Sequence, residues 1–238
     1  MVIRNEQMDL FFRRFKFPNN REEFWLSDEY YYQSLPLCVI DAIFSIGVRY
    51  EGTRNVVKRF CEVEKIQRIR DDRNKLPDVS NQFSVSQYLT RYGNTRPEIL
   101  AANIFENFQR TSTRNGILKA EAIGSFMCEL RKRKVDFLQD IPKISGDEGF
   151  ENAIKSIPGQ KSGISLQYFF MLSGDNTLVK PDRMVLRFLA GAFPGIAFDV
   201  RQATLVLQEI CKNIRLIKGI DISPRELDHW IWRNERGK

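Results

Sequence analysis

The stretch IPGQKSGIS, from Ile157 to Ser165, interrupts one helical pattern and is followed at once by another. Apolar residues before it recur every three or four positions, which is the spacing of one helix face. Pro158 and Gly159 break that pattern, and a second helical pattern runs over about 163–173. The stretch therefore predicts two helices joined by a tight turn, and Lys161 places a positive charge in that turn.

Helical spacing recurs along nearly the whole chain, and no segment has the convincing alternation of a β-strand. Pro36 opens a strongly apolar helix, and Thr53 is the predicted cap of the helix that follows. The last helix has a complete start signal: Ser223 caps it, Pro224 lies in its first turn and Glu226 closes a capping box. The predicted fold class is all-α. Further helices are predicted at about 85–92, 182–193, 200–215 and 224–234.

The chain carries 37 Lys and Arg residues against 30 Asp and Glu residues, a formal net charge of +7. This excess suits a polyanionic partner, with nucleic acid as the first candidate and an anionic membrane surface as the second. A basic protein of this size can also bind no charged partner, so charge alone leaves that alternative open. The 42% hydrophobic content is typical of a folded globular protein and not of a disordered one.

The cysteines and the histidine argue against a metal or iron–sulfur site. The four cysteines, at positions 38, 61, 128 and 211, lie far apart and form no C-x-x-C pair, and the sequence has one histidine, His229. No run approaches the roughly 20 apolar residues that span a bilayer. We therefore expect no cofactor, no metal and no membrane partner. We expect a cytoplasmic location, nucleoid-associated in a prokaryote.

The predicted turn has the chemistry of a phosphate site. A tight turn between two helices can present consecutive backbone N–H groups next to a helix N-terminus, and such donors bind anions. Gly159 allows close approach because it has no side chain, and Lys161 adds a positive charge. Such a grip positions DNA without reading its sequence. The alternative is a turn that only connects two packed helices.

Asp182 follows Pro181 and precedes the apolar segment MVLRFL, so it is the predicted N-cap of a helix. It lies 23 residues (182 − 159) after Gly159, which leaves room for one return helix between the turn and the carboxylate. An N-cap aspartate near a nucleic-acid clamp can also face a substrate. The structural role therefore does not exclude a chemical one.

These segments resemble the helix-hairpin-helix (HhH-GPD) DNA glycosylase superfamily, which includes endonuclease III, the adenine glycosylases and the 3-methyladenine glycosylases. IPGQKSGIS is similar to the start of the family signature L-P-G-h-G-x-K/x-T-A through Ile157, Pro158 and Gly159. LVKPDRMVLRFL resembles the segment that carries the family's catalytic aspartate. Upstream, LCVIDAIFSIGVRYEGTRNVVKRF and NGILKAEAI resemble its early helix pair and the helix two elements before the hairpin. The resemblance covers about 37–190.

The resemblance implies a two-lobed helical fold that binds double-stranded DNA and excises a damaged or modified base. The catalytic aspartate falls on Asp182, which would stabilise the positive charge that develops on the deoxyribose as the base departs. The base must first leave the helix, which requires a phosphate clamp, a wedge and a pocket. The clamp residues would be Gly159, Gln160, Lys161, Ser162 and Gly163. The candidates for the wedge or the pocket are Ile46, Arg49, Tyr50 and Tyr31.

The sequence departs from the family signature at several positions. The second glycine of the hairpin falls on Lys161, and the lysine that attacks the sugar in bifunctional members falls on Gly163. Without an amine there, strand cleavage lacks its nucleophile, so the resemblance implies a monofunctional enzyme. The wedge glutamine falls on Ile46, and the iron–sulfur cysteines of the endonuclease III relatives are absent. Tyr31 belongs to an aromatic run, for which core packing is the alternative.

We predict two lobes from these assignments. Residues 1–36 and 194–238 would form one lobe, and residues 37–193 would form a helical barrel lobe that contains the helix-hairpin-helix at about 151–175. The polar segment at about 70–97 is a predicted insertion or interlobe connection.

The predicted function is that of a monofunctional DNA N-glycosylase that acts as a monomer. A catalytically inactive DNA-binding module of the same fold is the alternative, and a helical interaction or structural domain is a third hypothesis. Salt dependence of binding separates the third hypothesis from the others, because phosphate contacts weaken as salt rises. Base release separates the first two.

Overall fold

The computed structural model describes residues 3–48 and 50–235 and divides the chain into two compact units. Unit 1 combines residues 1–27 with 174–238, and unit 2 comprises residues 28–173. Helices account for 61% of the described residues, which contain no β-strand. The all-α prediction is therefore confirmed.

The α-helices of the described residues follow one another with short connections. They are α1 (Asn5–Arg14), α2 (Leu35–Phe44), α3 (Tyr50–Glu64), α4 (Val85–Tyr92), α5 (Pro97–Asn103), α6 (Lys119–Lys132), α7 (Glu148–Ser156), α8 (Ile164–Ser173), α9 (Arg183–Ala192), α10 (Val200–Lys218) and α11 (Pro224–Glu235). Short 3₁₀ helices lie at Arg21–Phe24, Asp28–Tyr31, Val79–Asn81 and Leu138–Lys143. None of these helices combines the length and the apolar composition needed to cross a membrane.

Helix α2 is the centre of unit 2, and every one of its residues is buried. Helices α3, α6 and α8 pack around it. At its end, Phe44 packs against Phe105 with the ring centroids 5.3 Å apart, and Phe126 of α6 packs against Phe169 of α8 at 4.9 Å. Such aromatic pairs add directional contacts to the apolar area that they bury. The last residue of α2 is therefore held by ring packing inside unit 2.

The starts of two helices test the capping residues that the sequence predicts. Ser223 and Glu226 form the predicted capping box: the Ser223 N–H donates to Glu226 Oε2 at 2.8 Å, and the Glu226 N–H donates to Ser223 Oγ at 3.3 Å. The prediction that Thr53 caps a helix is wrong, because α3 already begins at Tyr50 and Thr53 lies inside it with its side chain buried.

Phenylalanine rings form the core of unit 1. Phe11 packs against Phe193 at a centroid distance of 5.1 Å, and Phe15 meets the edge of Phe188 at 5.2 Å. Trp230 from α11 closes this cluster. The rings come from α1, α9 and α11 and from the chain beside them, so the two ends of the sequence share one core.

The boundaries of the units differ from those of the predicted lobes at 36/37 and 193/194. The structure divides the chain at 27/28 and 173/174, because Val185, Phe188 and Leu189 of α9 are buried in the core of unit 1. Helix α9 therefore belongs to unit 1.

The polar segment at about 70–97 belongs to unit 2 and contributes to its interior. Phe83, Val85 and Tyr88 are buried, and α4, which spans the predicted residues, packs against α6. Its polar composition reflects exposed loops on either side of one buried helix face.

Replacing Phe188 with alanine should destabilise unit 1 by about 3–5 kcal/mol, because a buried ring leaves a cavity in the phenylalanine core. Tryptophan fluorescence during denaturation measures this unit, because the three tryptophans at positions 25, 230 and 232 all belong to it. Leu216→Ala is the control, since Leu216 is 82% exposed and should change stability by less than about 0.5 kcal/mol. Equal effects of the two variants would contradict this description of the core.

Candidate nucleic-acid interface

The hairpin turn (157–163) joins α7 to α8 and contains two residues with left-handed backbone geometry. Gly159 has φ +83° and Gly163 has φ +73°. Lys161, which stands where the glycosylase signature has a second glycine, is not among the positive-φ residues. A lysine is therefore accommodated there without the cost that a side chain pays in the left-handed region.

Gly159 also meets a second loop at very short range. A Cβ atom placed on Gly159 would lie 2.5 Å from Cβ of Thr111 and 2.9 Å from its carbonyl carbon. No side chain fits at this distance, so glycine is required both by the backbone geometry and by the contact. The hairpin turn and the loop around Thr111 thus rest directly on each other.

The hairpin turn contains backbone donors that the described residues leave unpaired. Gly159, Lys161 and Ser162 are exposed, and their N–H groups have no hydrogen-bond acceptor among the residues that the structure describes. The other three amides of the turn are used internally: Ile157 N–H donates to Ile154 O at 3.1 Å, Gln160 N–H to Ile157 O at 2.9 Å, and Gly163 N–H to Gln160 O at 3.0 Å. The exposed donors and the Lys161 side chain are the groups that a phosphate requires.

Two of the five predicted clamp residues are turned inward. Gln160 is only 3% exposed, and its Oε1 accepts a hydrogen bond from the Ser165 hydroxyl. Gly163 is buried, and Lys155 Cε lies 3.2 Å from the position of a Cβ atom there. Both residues therefore shape the turn, while Gly159, Lys161 and Ser162 form its outer surface.

A second loop beside the hairpin turn was not identified from the sequence. We call residues 107–118 the arginine loop. It doubles back on itself, with Thr111 N–H donating to Ile117 O at 2.9 Å. Arg110 and Arg114 are exposed on it, and Phe108 is 62% exposed. In the sequence, an aromatic residue between polar residues was the one pattern that could have indicated a binding loop here. That the loop borders the hairpin turn follows only from the contact between Thr111 and Gly159, which are 48 residues apart (159 − 111).

Buried Lys119 ties the arginine loop to the end of α2. Its side chain is almost fully buried, and Nζ donates to Phe44 O at 2.9 Å, to Ile46 O at 2.8 Å and to Gln109 Oε1 at 3.2 Å. The first two acceptors belong to the end of α2 and the turn after it, and the third belongs to the arginine loop. Three loops of unit 2 are therefore connected: the turn after α2, the arginine loop and the hairpin turn.

The candidate wedge residues differ in the contacts that their side chains make. The Ile46 side chain is partly exposed on the turn after α2. Tyr50 is half-buried, and its hydroxyl donates to Asp41 Oδ2 at 3.4 Å. A side chain that is already hydrogen-bonded must break that contact to enter DNA, so this geometry favours Ile46. The Arg49 candidate lies outside the described residues.

Tyr50 is part of a buried network around Asp41. Asp41 is fully buried, and the Tyr32 hydroxyl donates to the same oxygen at 2.8 Å. Burial, and next the charge of Asp41, raise the pKa of both the Tyr32 and the Tyr50 hydroxyls well above the usual range. Both tyrosines are therefore neutral donors at neutral pH.

The pocket candidate Tyr31 is partly covered. The Arg70 and Arg73 guanidinium carbons lie 5.4 and 4.9 Å from the centre of its ring, which is cation–π range. Arg73 is also held by Asp28 at 2.7 Å. These arginines lie over the ring that a base would stack on, so Tyr31 has a structural role in unit 2.

Asp182 lies in unit 1, whereas the five predicted clamp residues lie in unit 2. It is the N-cap of α9, as the sequence predicted: Oδ1 accepts from the Met184 N–H at 2.8 Å and from the Val185 N–H at 3.4 Å. Oδ2 has no hydrogen-bond donor among the residues that the structure describes, and the side chain is half-buried. One oxygen holds the helix, and the other is available to a substrate.

Asp228 of α11 is a second carboxyl near Asp182. It is buried, and its Oδ1 accepts from the Lys180 N–H at 3.2 Å, just before the N-cap. Burial, and next the charge of Asp182, raise the pKa of the Asp228 carboxyl well above its usual value. The protonated form of Asp228 is thus favoured, which limits charge repulsion beside Asp182. Across the described residues, no cluster of three His, Cys, Asp or Glu side chains could hold a metal ion.

Comparison with known proteins places the chain in a family. A family model described as a domain of unknown function (DUF8548) matches residues 14–236, so the chain belongs to this family. Neither the curated proteins nor the solved structures contain a significant match.

Gly159→Ala should destabilise unit 2 more than Gly146→Ala does. Both glycines have positive φ, but an added Cβ meets nothing within 4 Å at Gly146 and meets Thr111 at Gly159. The left-handed backbone alone costs about 1–2 kcal/mol, and the overlap should add about 1–3 kcal/mol. Tyrosine absorbance during denaturation measures unit 2, because all seven tyrosines belong to it. Equal losses in the two variants would show that the Thr111 contact does not constrain the hairpin turn.

Proposed function

We propose that this DUF8548 protein binds double-stranded DNA through the hairpin turn and acts as a monofunctional DNA N-glycosylase. The proposal rests first on one observation: Gly159, Lys161 and Ser162 are exposed in one short turn, their N–H groups have no acceptor among the described residues, and one of them is a lysine. It is supported by the resemblance of this turn, and of the segment around Asp182, to the helix-hairpin-helix glycosylases.

The hairpin turn would bind the DNA backbone. A phosphate oxygen accepts hydrogen bonds from the unpaired N–H groups, and Lys161 adds a charge whose binding releases a counterion from DNA. Because Gly159 packs on Thr111, this contact limits the movement of the hairpin turn when a ligand binds. Its donors are thus arranged before DNA arrives, which reduces the entropy lost on binding.

The arginine loop would extend this surface. Arg110 is steadied by a hydrogen bond from its Nη1 to Gly116 O at 2.7 Å, and Arg114 forms no ion pair with any described residue. Exposed guanidinium groups are suited to phosphates. Phe108 supplies an exposed ring in the same loop, and aromatic rings stack on unpaired bases.

The chemical step would depend on Asp182. Departure of the base leaves positive charge on the sugar, and a carboxylate oxygen under C1′ stabilises that charge and orients the attacking water. Oδ2 is the oxygen suited to this role, because Oδ1 already caps α9. Gly163 has no amine, and Lys155 beside it is paired with Glu151 at 2.9 Å. The proposal therefore includes no strand cleavage.

An inactive DNA-binding module is the second candidate. It is favoured by the same substitutions at Lys161 and Gly163, which remove two signature residues but leave the donors of the hairpin turn in place.

Lys161→Ala should weaken binding to duplex DNA of any sequence and should reduce the slope of log K against log salt by about one. The physical reason is the loss of one phosphate contact. Fluorescence anisotropy at several salt concentrations measures both quantities. Lys75→Ala is the control, since this lysine is highly exposed in the same unit but away from the hairpin turn in sequence. Unchanged binding by the Lys161 variant would remove the hairpin turn from the interface.

Asp182→Asn should lower base release by at least about a hundredfold while leaving DNA binding intact, because asparagine keeps the helix cap and removes the charge. Base release is measured with duplexes that carry alkylated, deaminated, oxidised or mismatched bases, followed by hot alkali to cleave abasic sites. Asp199→Asn is the matched control: Asp199 caps α10 in the same unit and accepts from the Gln202 N–H at 2.7 Å.

The outcomes of this experiment are distinct. Cleavage that requires alkali identifies a monofunctional glycosylase and its substrate. DNA binding without cleavage of any duplex favours the inactive module. Full activity of the Asp182 variant would refute the proposed mechanism.

A further inference from the structure

Unit 1 contains a cavity that the proposed function does not use. It lies between α1 and α9 and has a volume of about 670 Å³, within the range of small-molecule sites. We call it the α1–α9 cavity. Its walls include the rings of Phe11, Phe15, Phe188 and Phe193. All of its lining residues belong to unit 1.

We propose that the α1–α9 cavity binds a small aromatic carboxylate. The ring walls provide the first reason. Phe11 and Phe15 are stacked at a centroid distance of 5.4 Å, and Phe188 presents its plane at 88° to Phe15. Phe11, Phe188 and Phe193 are buried against one another, whereas Phe15 is only partly buried, so Phe15 is the ring that a ligand ring can contact directly. Contacts between aromatic rings contribute energy beyond the buried area.

The charges at the cavity provide the second reason. Two arginines line it, but Arg187 is already paired with Glu235 at 2.9 Å. Arg14 is exposed and forms no ion pair with any described residue. Its guanidinium group is therefore the cation available to a ligand, and it suits the planar, two-oxygen geometry of a carboxylate. A neutral aromatic molecule would contact the aromatic side chains but would form no ion pair with Arg14.

A substitution at Gly191 tests the cavity without removing any of the side chains that line it. This glycine of α9 lines the cavity, its φ is not positive, and an added Cβ atom would meet nothing within 4 Å. Leucine has a higher helix propensity than glycine. Gly191→Leu should therefore fill part of the α1–α9 cavity while α9 stays folded.

The experiment uses the full chain and biphenyl-4-carboxylate as the probe, with binding measured by isothermal titration calorimetry. Biphenyl-4-methanol, the neutral analogue, should bind at least about tenfold more weakly. Arg14→Gln should weaken the acid by about tenfold and leave the alcohol unchanged. Gly191→Leu should weaken both by tenfold or more. Gly52→Leu is the matched control, because Gly52 lies in α3 with nothing within 4 Å of an added Cβ atom, and it should change neither affinity.

Three outcomes would overturn the proposal. The first is no binding of the acid by the native chain at millimolar concentration. The second is an unchanged affinity in Gly191→Leu, which would place the probe elsewhere. The third is an equal loss of acid and alcohol in Arg14→Gln, which would mean that the arginine does not recognise the carboxylate. If Gly191→Leu changes the helical circular dichroism, the Arg14→Gln comparison decides alone. None of these outcomes depends on DNA binding.

Discussion

The buried ammonium group of Lys119 is the interaction on which the geometry of unit 2 depends. An ammonium ion loses several kcal/mol of hydration on burial unless its donors are satisfied, and Lys119 has three donors and three oxygen acceptors within 3.2 Å. Two of the acceptors are backbone carbonyls at and just after the end of α2, where the helix dipole favours a cation. The third comes from the arginine loop. Both loops must therefore keep their places for the charge to remain buried.

The hairpin turn depends on a different constraint, the absence of a side chain at Gly159. The left-handed backbone of this residue and the 2.5 Å approach of Thr111 both exclude a Cβ atom. The chain thereby brings the arginine loop against the turn and leaves the outer N–H groups without partners in the described structure. Arrays of unpaired donors are costly in a protein interior but cost little at a surface, where water satisfies them until an anion replaces it.

In unit 1, the same residue or helix has both a structural role and a proposed chemical role. Asp182 caps α9 through one oxygen, and the proposed chemistry uses the other. The same helix buries Phe188 in the core and lines the α1–α9 cavity with Gly191. Asp228 accepts a hydrogen bond from the Lys180 N–H, just before this helix. Its burial raises the pKa of the carboxyl, which favours the neutral form. A ligand or a substitution along α9 would therefore act on the element that begins at Asp182.

The sequence by itself determined the all-α class, the capping box at Ser223, the N-cap role of Asp182 and the hairpin turn, because each depends on residues within a few positions of one another. It did not determine the start of α3, since the burial of Thr53 depends on packing. Only the tertiary structure decided that α9 joins unit 1, that Gln160 points inward and that the arginine loop borders the hairpin turn. Those facts depend on contacts between residues far apart in the chain, such as Lys119 with Phe44 and Gly159 with Thr111, for which local spacing carries no signal.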